Sequence, residues 1–283
     1  MIEVKKKQHY YPKFLLKHFA DKNGNVYTYN VFTKKFEYVR FDSICYHNYT
    51  YESEKTASKA DNHLENQFAG YENRVAPIID YIVNNYKYRN FKITKHQCNE
   101  LIDYLFLQIC RTDAGRLKIM NNIKYSWDYE KKGVVTNEEI KNGEKKIREF
   151  NNMCKNENGL ENFLNIFEKE SCVIKIGKTT TDLISSDNPV VGVIGSDKKC
   201  RLLYMPISPD IVLICANIIK KIKDTDKFVF SIPIRLVNWI NQAIINTSNY
   251  TIISKKEFSV PLTGYIINRF ENDNWEAPFE IVF

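Results

Sequence analysis

The stretch Gln8-His9-Tyr10-Tyr11-Pro12-Lys13-Phe14-Leu15-Leu16-Lys17-His18-Phe19-Ala20 governs how the rest of the chain is read. Its aromatic rings and its Leu-Leu pair are too apolar for the frayed polar start of most soluble chains, so burial is expected. Pro12 stands where it would open a short helix as its first residue. Phe14, Leu15 and Phe19 would bury that helix and leave His9 just before its first turn. An imidazole placed there can move a proton, or it can simply pin the backbone through one hydrogen bond.

Working outward, Asn23-Gly24 marks a turn. Strand-like runs at 26–31 and 35–40 read as a hairpin around Thr33-Lys34, and the aromatic stretch 43–51 is expected to pack back over it. The period then becomes helical: Leu64, Phe68, Tyr71, Val75, Ile78, Ile79 and Ile82 recur at spacings of three and four. Pro77 should kink that helix or split it. A second helix is predicted over 94–124 with Thr94 as its cap, and a charged, mobile segment over 125–150 with a helix from 137. Beyond Cys172, short apolar runs at 172–176, 182–185, 190–194, 201–205 and 211–215 read as strands. A helix at 234–248, a strand at 250–254 and a docked terminal strand at 279–283 complete the pattern. The order predicts an α+β fold: an N-terminal anchor helix and β-hairpin, central long helices, and a C-terminal mixed sheet with one helix. A single domain over 1–283 is expected, helical over about 55–168 and β-rich over about 171–283.

Composition narrows the class. The chain has 283 residues, 43% hydrophobic and 27% charged, which is ordinary for a folded soluble protein. No apolar run approaches the roughly 20 residues that span a bilayer, and Lys5-Lys6-Lys7 leads into no secretory pattern. A cytoplasmic location without a membrane partner is expected. The seven cysteines form no C-x-x-C pair, which argues against a zinc ribbon, and their odd number argues against a disulfide framework. The net charge of +7 rests mainly on scattered lysines. Nucleic acid is thus a candidate partner, though no block of charge demands it and the Lys/Asn richness is partly what an AT-rich genome would produce.

Three places could carry chemistry. His9 is the first. The second is a helix pair: Glu65 and Glu72 lie seven residues apart on nearly one face, and Gln108, Arg111, Thr112 and Gly115 form a stripe flanked by Arg116. Carboxylates facing such a stripe suit either a buried salt bridge or a phosphate or metal–phosphate site. The third is Ser185-Ser186-Asp187-Asn188-Pro189, where Asn-Pro forces a sharp turn beside Asp187. That carboxylate could be a metal ligand or base, or could cap its own loop. P-loop, dinucleotide, serine-elbow and zincin signatures are all missing.

Taken together these stretches resemble an uncharacterised bacterial family, a domain of unknown function. Its opening His-x-x-Pro signature corresponds to His9-Tyr10-Tyr11-Pro12-Lys13-Phe14-Leu15-Leu16-Lys17-His18-Phe19. Its Glu-bearing helix corresponds to Glu65 and Glu72, its Gln-x-x-Arg-Thr helix to Gln108-Ile109-Cys110-Arg111-Thr112 with Arg116, and its turn to Ser186-Asp187-Asn188-Pro189. The resemblance covers nearly the whole chain and implies a shared architecture, with no activity to carry over. Asp113 departs from the proline that often follows the Arg-Thr pair.

The functional expectation is a hydrolase-like effector acting on a phosphate-containing substrate, most specifically a nuclease, in a defence or toxin context. Its site gathers His9, Glu72, Gln108, Arg111 and Asp187. Glu72 and Asp187 would hold Mg2+ or Mn2+, Arg111 would neutralise developing phosphate charge, and His9, within reach of Arg111 or Asp187, would move a proton. The alternative is a non-catalytic nucleic-acid- or protein-binding module in which the same polar residues form a buried network.

Overall fold

The structure, a computed structural model, describes residues 5–54, 60–122, 134–156, 158–165, 172–194, 200–217, 228–272 and 274–275. Its N-terminal elements are β1 (Lys7–His9), α1 (Lys13–Leu16), β2 (Asn25–Asn30), β3 (Lys35–Arg40) and β4 (Tyr46–Asn48). The helical middle comprises α2 (His63–Asn85), α3 (Lys95–Arg111), α4 (Asp113–Asn122), α5 (Asn137–Asn142), α6 (Glu144–Cys154) and α7 (Gly159–Asn165). There follow β5 (Cys172–Lys178), β6 (Ser185–Ser186), β7 (Val191–Ile194), β8 (Cys200–Ser208), β9 (Ile211–Asn217), β10 (Val229–Ser231), α8 (Ile234–Thr247), β11 (Thr251–Ser254) and α9 (Val260–Glu271). This is an α+β fold. No described helix is long and apolar enough to cross a membrane.

The opening stretch is an anchor. Tyr10, Tyr11, Leu15, Leu16 and Phe19 are all buried. Pro12 stands one position earlier than the sequence suggests, as the extended N-cap of α1, where its carbonyl receives the N–H groups of Leu15 and Leu16. Just ahead of it, β1 pairs antiparallel with β4 and sets His9 opposite Tyr46.

Strands β2 and β3 form the expected hairpin, but its partner is not the large C-terminal sheet. Strand β11 pairs with β2, and β6 with β11, giving a separate antiparallel sheet in the order β3-β2-β11-β6. The larger sheet runs β10-β5-β9-β8-β7, and it is mixed because β10 lies parallel to β5. Helix α8 buries Val237, Ile240, Ala243, Ile244 and Ile245 in a core shared with residues of both sheets. The predicted strand at 279–283 lies outside the described residues.

Helix α2 buries Leu64, Phe68, Val75, Ile78, Ile79 and Ile82, the stripe that its three-and-four spacing promises. It continues through Pro77. Pro77 and Asn73, whose carbonyl loses its donor, are both exposed, so water can satisfy what the proline removes. Helix α3 starts with a capping box in which Thr94 accepts from the Gln97 N–H and Gln97 from the Thr94 N–H.

The long helix expected over 94–124 is two helices. Thr112 is extended (φ −88°, ψ 148°), which ends α3, and its hydroxyl accepts from the Gly115 N–H at 3.0 Å to begin α4. A Cβ on Gly115 would overlap the Ile109 carbonyl, so glycine lets α4 fold back against the end of α3.

Candidate functional site

The turn at Thr112 leaves Arg111 as the last residue of α3, with 1% of its surface exposed. A buried guanidinium must be paired and hydrogen-bonded. Arg111 donates from one terminal nitrogen to Glu72 Oε1 on α2 and from the other to the backbone carbonyl of His9 at the end of β1. The Tyr51 hydroxyl donates to that same carbonyl at 2.9 Å. The guanidinium also lies over the rings of Phe68 and Tyr51, 4.9 and 5.7 Å from their centroids. One turn earlier, Gln108 is fully buried, donating to the Tyr10 carbonyl at 2.8 Å and accepting from the Tyr104 hydroxyl. Arg111 and Gln108 together clamp the two peptide carbonyls that flank Tyr10, those of His9 and of Tyr10 itself, to helix α3.

Beside this clamp the groups are less fully paired. His9 is half-buried, with its ring 5.4 Å from that of Tyr46. Burial, with Lys13 and Arg111 adding to it, lowers its pKa to about 4, so the imidazole is neutral at pH 7. Glu65, one turn below Phe68 on α2, has its pKa raised by burial and by Glu72, against the pull of Arg111. Within the described residues, His9 Nε2, one Glu65 carboxylate oxygen and Arg111 Nε are buried with no hydrogen-bond partner. Glu72 keeps 26% of its side chain exposed, so the clamp reaches solvent on this side.

Asp187 belongs to a different network. Its carboxylate accepts from the Ser248 hydroxyl at 2.7 Å and from the N–H groups of Asn249, Tyr250 and Thr251 at 3.0, 3.0 and 2.9 Å. Burial raises its pKa and these hydrogen bonds oppose the rise. Asn188 donates to the Thr247 carbonyl and to Asn249 Oδ1, each at 2.7 Å. Asp187 and Asn188 therefore latch the connection between α8 and β11, while the Ser186 hydroxyl, accepting from the Asn188 N–H at 3.1 Å, caps the turn itself.

Of the five candidates, then, the structure joins Arg111 to Glu72 and to the His9 backbone, and sets Gln108 one turn away. Asp187 hydrogen-bonds to none of them, and Asp187 and Glu72 share no bonding partner among the described residues. A metal ion held jointly by Glu72 and Asp187 has no support in this arrangement, because Asp187 is already surrounded by donors. Nor is any group of three or more His, Cys, Asp or Glu side chains placed to hold a metal among the described residues.

Sequence reading missed Tyr51 and Phe68 as walls of the Arg111 site, since an aromatic in a helical stripe reads simply as core. It also missed a second buried guanidinium centre. Arg116 donates to the Thr50 carbonyl at 2.8 Å, to Asn151 Oδ1 at 2.7 Å and to Asp113. Asp113 in turn accepts from the Tyr250 hydroxyl at 2.7 Å. Burial alone would raise the Asp113 pKa, but Arg116, His47 and Tyr250 outweigh it and hold the carboxyl well below the usual range. Asp113 thus has a partner of its own, Arg116, three residues on in the same helix.

No curated protein and no solved structure matches the chain. The family model described as "Protein of unknown function (DUF4238)" matches residues 7–258, from the first residue of β1 to just beyond β11, so it takes in the His9, Arg111 and Asp187 motifs together. The chain belongs to the DUF4238 family.

Proposed function

We propose that the chain is a hydrolase of a phosphate-containing substrate, more specifically a nuclease, with His9, Glu65 and Glu72 forming its reactive face. The observation that carries this reading is the two unpartnered buried atoms of side chains that feel the Arg111 charge, His9 Nε2 and a Glu65 oxygen. Buried polar atoms are almost always bonded, and unpaired ones gathered in one place suit a ligand that completes them. Exposed Lys5, Lys7 and Lys13 act on the charges of Glu65 and His9 and give the rim a sign that favours phosphate.

In this reading a water molecule attacks phosphorus and gives its proton to neutral His9, while Glu65, its carboxyl kept protonated more readily by burial, gives a proton to the leaving oxygen. One P–O bond forms, one breaks, and an alcohol and a phosphate monoester leave. Arg111 is too deeply buried to bind the phosphate as the sequence suggested. It positions Glu72 and His9 instead. Mg2+ or Mn2+ would arrive on the substrate's own phosphates.

The second reading, a non-catalytic binding module, draws on the sealed and internally satisfied state of Gln108 and Asp187. One experiment separates the two. The full chain and a His9→Asn variant are incubated with single- and double-stranded DNA, RNA and nucleotides, with Mg2+, Mn2+ or a chelator. The hydrolase reading expects turnover of at least one substrate that falls by about 100-fold in the variant, with the melting temperature unchanged. Binding without turnover supports the module.

A further inference from the structure

At the far end of the α2–α3 pair the chain carries a second surface. The connection between the helices and the first two residues of α3 read Tyr86-Lys87-Tyr88-Arg89-Asn90-Phe91-Lys92-Ile93-Thr94-Lys95-His96, with cations and rings alternating and no acidic residue. It lies about 24 Å along α3 from Arg111 at 1.5 Å per residue, so it is separate from the site above. Lys87, Arg89, Lys92 and Lys95 are exposed and make no ion pair among the described residues. Tyr88 is 63% exposed and Tyr81, on the adjoining turn of α2, 39%. Phe91 stacks nearly parallel on Tyr81, with centroids 5.5 Å apart and planes 20° from one another, and also on Phe228 at 6.3 Å, so it holds Tyr81 in place from the core side.

A merely solvated loop has no need of exposed rings, and a core contact has no need of unpaired cations. We infer that this loop binds single-stranded nucleic acid, with bases stacking on Tyr88 and on Tyr81 and phosphates meeting Lys87, Arg89 and Lys92. Stacking accepts any base because every base presents a π-face, while closely spaced cations follow the backbone. An anionic membrane is the less suitable partner, because interfacial segments bury a broad aliphatic face and this loop offers only half-buried Ile93. The inference does not depend on whether the His9 face hydrolyses anything.

The test is fluorescence anisotropy of a labelled oligothymidylate of about 15 nucleotides, titrated with the full chain in chelator so that no cleavage intervenes. The triple variant Lys87→Gln, Arg89→Gln, Lys92→Gln is expected to bind at least about 10-fold more weakly, and its logarithmic salt dependence should shrink by about 2. Tyr88→Ala is expected to weaken binding by about 10-fold with the salt dependence unchanged. All four residues are exposed, and circular dichroism melts verify that the variants stay folded. Unchanged affinity in both variants would overturn the inference. So would a wild-type chain that ignores the oligonucleotide, whether or not it binds phosphatidylserine vesicles.

Discussion

Arg111 holds His9 by its backbone carbonyl and not by its ring. The distinction matters because it leaves the imidazole Nε2 unpartnered, while a hydrogen bond with the Asp42 backbone engages the ring. The same guanidinium takes Glu72 from α2, so one buried cation ties together the N-terminal strand and both central helices. Fork geometry makes this work: two terminal nitrogens point in two fixed directions, which a lysine cannot imitate.

Arg111→Lys is therefore expected to lose about 2 kcal/mol of stability, since the ammonium can reach Glu72 or the His9 carbonyl but not both in the same geometry. Urea unfolding monitored by circular dichroism measures the change. A midpoint equal to wild type would mean that the clamp contributes no specific stability.

Asp187→Ala should lower stability by about 3 kcal/mol. The reason is that the N–H groups of Asn249, Tyr250 and Thr251 would lose their acceptor in a buried turn. Asp187→Asn, which keeps the shape and one acceptor oxygen, should lie between. Thermal melts of the three proteins test this order, and a neutral alanine variant would remove the latch role.

Gly115→Ala is expected to destabilise by about 2 kcal/mol, because the new methyl overlaps the Ile109 carbonyl and the turn between α3 and α4 must open. The end of α3 carries Arg111, so this change should also disturb the site. Hydrogen exchange of the α3 and α4 amides would locate the loosening, and protection equal to wild type would contradict it.

His9 gives stability a specific pH dependence. Its folded pKa of about 4 lies below its ordinary value of 6.5, so the unfolded chain binds the proton first as pH falls. The stabilisation is complete above about pH 6.5 and declines towards pH 4, by about 2 kcal/mol after allowing for the half-open position. Comparing urea midpoints of wild type and His9→Asn across this range isolates the effect. Parallel curves would show that the imidazole titrates as it does in the unfolded chain.

Local order was readable in the sequence where one stretch of chain decides it. The α2 stripe and the Thr94 box depend on neighbours within one or two turns, and the apolar run at Tyr10 to Phe19 could not have stayed in water. Pro77 did not split α2, because its position and that of Asn73 face solvent, which can satisfy the freed carbonyl. The break at Thr112 was hidden by an apolar period that runs on through Ile119. Helix α9 was missed because Val260 and Ile267 are exposed and its inward face is anchored by Ile266.

The candidate site was partly legible for the same reason. Glu65, Glu72, Gln108 and Arg111 sit on regular helices whose faces can be drawn from spacing alone. The partners of Asp187 are more than 60 positions away at Ser248 to Thr251, and those of Arg116 lie on loop and helix segments at Thr50 and Asn151. Nothing in the local pattern announces such meetings. The same carboxylate in a rigid turn reads equally well as a ligand or as a latch until its donors are seen.

The most direct test of the hydrolase reading is the pH dependence of kcat/KM for whichever phosphodiester substrate the chain turns over. If neutral His9 is the base, the acid limb should fall at pH about 4 and vanish in His9→Asn along with most of the rate. An acid limb near the ordinary histidine value of 6.5, or a limb and rate unchanged in the variant, would contradict the account, as would a chain that hydrolyses none of the substrates offered.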